Sequence, residues 1–337
     1  MMRTVIVDMM GGDKAPAETV KGVDLARKEF GADISYILVG DRQQIESAAA
    51  ENKISLDGFE IVHTPTVLAM EDDPIAVVRA KSDCSMAEGL RLLKEGRGDA
   101  FVSTGNTGAL FTGATLIVRK IKGVKRPAIA TLLPLQPPVL LLDSGANVVA
   151  TSEYLEQFAV MGSAYMKHLM GVENPRVGLL NNGSEEHKGT ELQVETHQRL
   201  KNNENINFVG NVEGNAAVQG ACDILVTDGF TGNIFLKTLE GFGKVVLKTL
   251  KGVLYKNVKT KIAGLMIKSD LGDMKKAFSG GDLGGAPILG VAKPVIKAHG
   301  SSDAREFKNA IRQAIAFSNT SINDEIAAAV AVAKTEE

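Results

Sequence analysis

Tryptophan is absent from this 337-residue chain, and aromatic residues of all kinds make up only 5% of it. A stacking platform for single-stranded nucleic acid needs several exposed rings, so that class of partner is disfavoured. Positive charge is not in excess either. The 38 Lys and Arg against 40 Asp and Glu leave a formal charge of −2, and no basic field recommends a polyanion. Nucleic acid is therefore not an expected partner. Cysteine is almost missing. Cys84 and Cys222 form no CxxC pair and no disulfide framework, which fits a reducing cytoplasm. No apolar run approaches the length that spans a bilayer. The chain opens on Thr4-Val5-Ile6-Val7 without the charged and apolar regions of a secretory signal.

Familiar chemical motifs are missing as well. There is no GxSxG elbow. The five histidines, His63, His168, His187, His197 and His299, neither cluster nor fall in HExxH, so no metal site is expected. No loop matches Gly-x4-Gly-Lys-Ser/Thr, and no GxGxxG is followed by a ribose-binding acid. A nucleotide cofactor thus has no support.

What is present is a rhythm. Solid Val/Ile/Leu runs at 4–8, 34–39, 59–63, 99–103, 127–132, 138–143, 176–181, 206–209 and 222–227 read as strands buried on both faces. Helical patterns at 17–29, 43–51, 82–95, 107–120, 152–170, 189–202 and 232–251 separate most of them. This alternation predicts a three-layer α/β/α fold with a mostly parallel sheet. No linker interrupts it, so one large domain is expected, or two lobes sharing a sheet or a wide interface. A last strand pair, 286–291 and 294–298, precedes a terminal helix at 303–330. His168 and His197 sit in amphipathic helices and read as surface residues.

Two loops stand out. Ser103-Thr104-Gly105-Asn106-Thr107-Gly108 and Thr227-Asp228-Gly229-Phe230-Thr231-Gly232-Asn233 both read polar-polar-Gly-x-Thr-Gly after a strand and before a helix. Exposed amides at such helix starts favour an anion, and ligands of open α/β sheets bind at the carboxyl ends of strands. Either loop alone is explained as a capped turn; two alike make an anion site the stronger reading. Asp8 to Pro16 and Asp143 to Asn147 are further loops at strand ends. His187 beside Lys188, and His299 beside Lys297, each pair an imidazole with an ammonium in a glycine-bearing loop. That suits an oxyanion, and a solvated polar loop accounts for each equally well.

Taken in order, these segments resemble the PlsX-type phosphate acyltransferases of bacterial phospholipid synthesis. The matching stretches are Asp8 to Pro16, Ser103 to Leu110, Asp143 to Asn147, Lys188-Gly189, Thr227 to Asn233 with Leu236-Lys237, Gly284 to Pro287, and Lys297 to Ser302. The chain departs from the family pattern at Leu283, Cys84 and Asn182. The resemblance implies transfer of an acyl group from an acyl-carrier-protein thioester to inorganic phosphate. It implies no cofactor, a homodimer, a fold similar to phosphotransacetylases and isopropylmalate-type dehydrogenases, and a membrane-bound glycerol-3-phosphate acyltransferase that consumes the product. A coenzyme A-dependent phosphotransacetylase or phosphotransbutyrylase, and a non-catalytic scaffold, are the competing readings.

On this basis the expected catalytic residues are Asn106, Lys188, Asp228, Asn233 and His299. Gly105, Thr107, Gly108, His187, Gly229, Thr231, Gly232 and Lys297 are expected to bind substrate. The segment 241–278 breaks the βαβ rhythm and is expected to form a lysine-rich helical hairpin insertion. Its apolar stripe suits an anionic membrane surface or an acidic carrier protein, with Leu254, Val258, Lys259 and Ile262 in contact. A dimer-forming hairpin with a solvated lysine face fits the same pattern. The expected location is cytoplasmic and peripherally membrane-associated.

Overall fold

In the computed structural model, which describes residues 2–267 and 284–332, the solid apolar runs become strands sealed on both faces. Val5, Ile6 and Val7 are fully buried, as are Val139 to Leu142. The strands fall into two sheets. The first contains β1 (Arg3–Asp8), β2 (Ile34–Gly40), β3 (Glu60–His63), β4 (Ala100–Ser103), β5 (Ala128–Ile129), β11 (Ala286–Leu289) and β12 (Val295–Lys297), in the order β3-β2-β1-β4-β12-β11-β5. The second contains β6 (Thr131–Leu133), β7 (Val139–Leu142), β8 (Arg176–Asn181), β9 (Asn207–Glu213) and β10 (Ile224–Val226), in the order β6-β7-β10-β8-β9. Pairing is parallel except where β11 meets β12 and β5, and where β6 meets β7.

The run 127–132, expected as one strand, divides between these sheets. Ile129 pairs with Ile288 of the first, and Thr131 pairs with Leu141 of the second. An apolar run declares burial but not its partner, so periodicity cannot show where a chain changes sheet. One hydrophobic core nevertheless runs through both sheets, from Val5 and Val102 to Leu140 and Val177.

Helices cover the strands: α1 (Ala17–Phe30), α2 (Arg42–Glu51), α3 (Ser85–Lys94), α4 (Thr107–Gly113), α5 (Ser152–Met170), α6 (Glu191–Asn202) and the short α7 (Gly214–Ala217). Where one terminal helix was expected, there are two, α10 (Ala304–Ser318) and α11 (Ile322–Val332). Ser318 and Thr320 hydroxyls donate back to the carbonyls of Ile315 and Phe317, a local competition that ends helices. The break lets α11 reach α5, where Glu325 meets Lys167 and His168.

The described part of the lysine-rich segment continues a longer helix. Helix α8 starts at Gly229, within the second anion-type loop, and runs unbroken to Leu254. Helix α9 (Val258–Met266) then folds back, bringing Gly264 against Leu254. The remainder of the expected hairpin, 268–278, and Leu283 lie outside the described residues.

The start of α8 is pinned against the strand end beside it. A Cβ on Gly232 would sit 2.0 Å from the Asp143 carbonyl oxygen. Gly232→Ala is therefore expected to cost about 1–3 kcal/mol through overpacking against backbone. Urea unfolding measures this, and an unchanged midpoint would show that the helix start yields freely.

Candidate active site at the strand ends

The loops at the carboxyl ends of the strands are organised by two buried carboxylates. Asp8, the last residue of β1, is 1% exposed. It accepts hydrogen bonds from Ser85 Oγ and Ser103 Oγ, both at 2.7 Å, and from the Met10 amide at 3.1 Å. Ser103 in turn accepts from the Gly105 amide at 3.0 Å, so Asp8 shapes the 103–108 loop through Ser103. The backbones meet closely here: a Cβ on Gly11 would lie 2.6 Å from the Gly105 nitrogen. Thr104 Oγ1 donates to the Gly11 carbonyl, and the Asp13 amide to the Gly300 carbonyl. Three loops, after β1, β4 and β12, thus form one unit.

Asp143 repeats the arrangement on the second sheet. It follows β7, is fully buried, and accepts from the amides of Gly145, Ala146 and Asn147 and from Asn147 Nδ2. It also accepts from the Ile129 amide on β5, tying the two sheets together. Asn147 passes the constraint on, because its carbonyl receives the Gly229 amide at 2.7 Å. Burial raises the pKa of both Asp8 and Asp143 above the ordinary carboxyl range, against the pull of their many donors.

The expected site residues divide by what their side chains already hold. Asn106 caps α4 through the Ala109 amide, and its Nδ2 donates to the carbonyls of Met70 and Asp72. Asp228 caps α8, receiving both the amide and the hydroxyl of Thr231 at 2.8 Å. Both residues therefore shape their loops. Thr107 and Gly108 lie ahead of the first intrahelical bond, Leu110 amide to Asn106 carbonyl, so the helix leaves their amides unused. Asn233 is exposed on the first turn of α8 and packs beside Gly145.

Lys297 ends β12, is 8% exposed, and donates to the Ala298 carbonyl. Burial lowers its pKa to about 8, opposed by Asp13 and Asp8 and reinforced by Lys237 of α8. His299 is also held below its ordinary value by desolvation, Lys297 and Lys237. Its Nδ1 accepts from the Ser301 amide at 3.3 Å, which leaves the proton on Nε2. Lys237, on the third turn of α8, is thus near enough to act on both groups. Lys237, bonded to Glu240 at 2.9 Å, was missed as a site residue because it lies on a helix face beyond the glycine motif.

The 181–190 loop faces α8 from another side. Lys188 is half-buried with its ammonium 4.0 Å from Glu185, and His187 is exposed. The backbone here is clamped: Asn181 Nδ2 donates to the Lys188 carbonyl, and Asn211 Nδ2 to the Glu185 carbonyl. His197, expected at the surface, is 3% exposed, with Nδ1 2.9 Å from Asn211 Oδ1 and its ring edge-on to Phe208. It belongs to the inward stripe of α6 with Thr196 and Leu200. Among the described residues no group of three or more His, Cys, Asp or Glu is placed to hold a metal. Cys84 is buried at the start of α3, and Asn182 is exposed.

An α/β core with amide-rich turns at its strand ends defines a fold shared with phosphotransacetylases. Structures of a phosphotransacetylase from Streptococcus pyogenes (TM-score 0.60, 17% identity, 94% of each chain) and of EutD phosphotransacetylase from Staphylococcus aureus (0.59, 15%, 94% of each) superpose on it. At these identities they establish the fold alone. The chain itself belongs to the family described as fatty acid synthesis protein, whose profile matches residues 3–325; this is the PlsX family that the ordered loops resemble. It is 45% identical to the phosphate acyltransferase of Acetivibrio thermocellus, over 96% of this chain and 95% of that protein. It is 44% identical to the phosphate acyltransferase of Bacillus licheniformis, over 92% and 93%.

Lys297 carries a pH signature. Its folded pKa, about 8 against an ordinary 10.5, means that the native state gives up this proton before the unfolded chain does. Stability contributed by this group must rise as pH climbs from about 8 towards 10.5. Urea titrations at intervals across that window should show the rise in the parent and its loss in Lys297→Met. Equal slopes in the two proteins would place the ammonium in water.

Proposed function

We propose that this chain is an acyltransferase that converts an acyl-carrier-protein thioester and inorganic phosphate into acyl phosphate and free carrier protein, for phospholipid synthesis. The observation that carries the reading is its whole-length kinship with phosphate acyltransferases at 40–45% identity. The geometry supports a mechanism that needs no enzyme nucleophile. A phosphate oxygen attacks the thioester carbon, the carbonyl oxygen takes the negative charge of the tetrahedral intermediate, and the carbon–sulfur bond breaks to release thiolate. The protein's task is alignment and charge stabilisation.

In this reading the free amides of Thr107 and Gly108, with Lys297 and Lys188, receive phosphate and oxyanion. Asn106 and Asp228 hold the two loops in place, and Gly105, Gly229 and Gly232 let the substrate approach their backbone. Asn233, exposed beside Gly145, donates to the substrate. The Nε2–H of His299 donates a hydrogen bond to the sulfur as it departs as thiolate, which then takes its proton from water, and His187 is a reserve donor at the rim. A thiol leaves easily, so His299→Ala should retain part of the turnover. Offering acyl-carrier-protein and coenzyme A thioesters separately, with phosphate, tests the reading: acyl phosphate should form with the carrier-protein donor. Preference for coenzyme A would make it a phosphotransacetylase, and formation from neither a scaffold.

The same reading extends to the bilayer, where a membrane-bound acyltransferase would consume the poorly soluble product. No helix among the described residues is long and apolar enough to cross a membrane. The tip formed by α8 and α9 exposes Val258 at 73%, Ile262 at 55% and Met266 at 81%, with Lys256, Lys259 and Lys261 exposed among them. Leu254 differs from its three companions in turning partly inward against Gly264. Apolar residues flanked by lysines suit shallow, reversible contact with anionic lipid. Further down α8, exposed Phe242, Val245 and Val253 form a stripe suited to a second copy in a homodimer. Val258→Glu with Ile262→Glu should abolish co-sedimentation with anionic vesicles and spare activity on soluble substrate. Equal binding to neutral vesicles, or a switch from dimer to monomer, would refute the membrane contact.

A further inference from the structure

Beside the second loop lies an open groove of about 560 Å³, a volume in the range of small-ligand pockets. Leu180, at the end of β8, and Ile234 and Phe235, on the first turns of α8, give it apolar walls. The Phe235 ring is steadied by close contact with Gly214. The opposite wall is the start of α6, where Thr190 and Gln193 are locked to each other as a capping box. Gly189 lies between, at φ +98°, and a Cβ there would come within 2.5 Å of the Gln193 Cβ. At Gly189 the lining is therefore bare backbone, with Asn181, Asn182, Thr190 and Gln193 as its polar neighbours.

The position of this cavity matters more than its size. Its lining includes Thr231, whose amide and hydroxyl belong to the Asp228 cap. It also includes Gly189, next in sequence to Lys188. An apolar space bounded by both oxyanion-bearing loops is where the apolar part of a substrate must extend once its carbonyl lies at those loops. We infer that the cavity between α8 and the 181–193 segment is the binding site for the acyl chain of the thioester, and that Ile234 and Thr238 set the chain length accepted. Thr238 lines the cavity one turn beyond Ile234 and has no part in the loop hydrogen bonding described above. The inference rests on the proposed acyl transfer for the identity of its ligand, and on the cavity for its place.

The test compares butanoyl and hexadecanoyl carrier-protein thioesters in the parent and in Thr238→Trp, which fills the cavity from an exposed helix position. Burial of each methylene adds to affinity, so losing a few should lower kcat/KM for the long chain about tenfold or more. The short chain should stay within about twofold. Ile234→Ser, smaller and polar, should also weaken the long chain selectively. Equal losses for both chains, or no loss for either, would overturn the assignment. So would a changed oligomeric state with an unchanged chain profile, which would make the cavity a contact between copies. Equilibrium binding of hexadecanoic acid separates this inference from the enzymatic reading. If the parent makes no acyl phosphate from any donor, yet binds this ligand and Thr238→Trp binds it about tenfold less, the site stands and the transfer reaction falls. A parent that does not bind it, while transferring short chains normally, sinks the site and leaves the reaction.

Discussion

Everything at the strand ends depends on two carboxylates held away from water. Asp8 draws its side-chain donors from Ser85 and Ser103, far along the chain, and Asp143 draws its donors from its own loop and from Ile129 on the other sheet. A buried acid is costly unless its donors are supplied. The surrounding loops therefore have little freedom: moving one away removes a donor and leaves the charge exposed to apolar surroundings. This is how glycine-rich turns, flexible in isolation, become a fixed surface of amides.

The two halves use this device in parallel. β1 ends in Asp8 and pairs with β4, which carries Ser103 to Gly108; β7 is followed by Asp143 and pairs with β10, which carries Thr227 to Asn233. In each, a capping side chain, Asn106 or Asp228, takes up part of the first turn, and in the first half the Thr107 and Gly108 amides are left without a helical partner. The strand ends then combine helix-start backbone with Lys297, whose pKa burial lowers to about 8. Such an ammonium gives up its proton more readily than a lysine in water.

Much of the fold was legible because it rests on local patterning. Solid apolar runs and helical periodicity located most elements within a few residues, and helix α5 was bounded correctly at 152–170. The glycine-bearing loops were legible too, since turn chemistry and helix caps are written in short motifs. Less legible were His197, which reads as a surface residue until β9 is packed against α6, and Lys237, which needs the opposite loop to reveal its neighbours. Asp8 and Asp143 were visible as loop acids, but their burial was not, and neither were the Ser85 and Ser103 donors of Asp8 or the Ile129 donor of Asp143, which belong to other elements.

The sequence by itself determined the layered α/β class, the placing of polar glycine loops after strands, and the ordered motifs that mark the family. These depend on spacing along the chain, which tertiary packing does not alter. Only the tertiary structure decided that the strands form two sheets, that 127–132 divides between them, and that α8 grows directly from a loop of the candidate site. It alone turned Asn106 and Asp228 into supports for backbone amides and set an apolar cavity between α8 and α6. Such outcomes are fixed by which surfaces meet, and a one-dimensional pattern of polarity says that a surface is buried without saying against what.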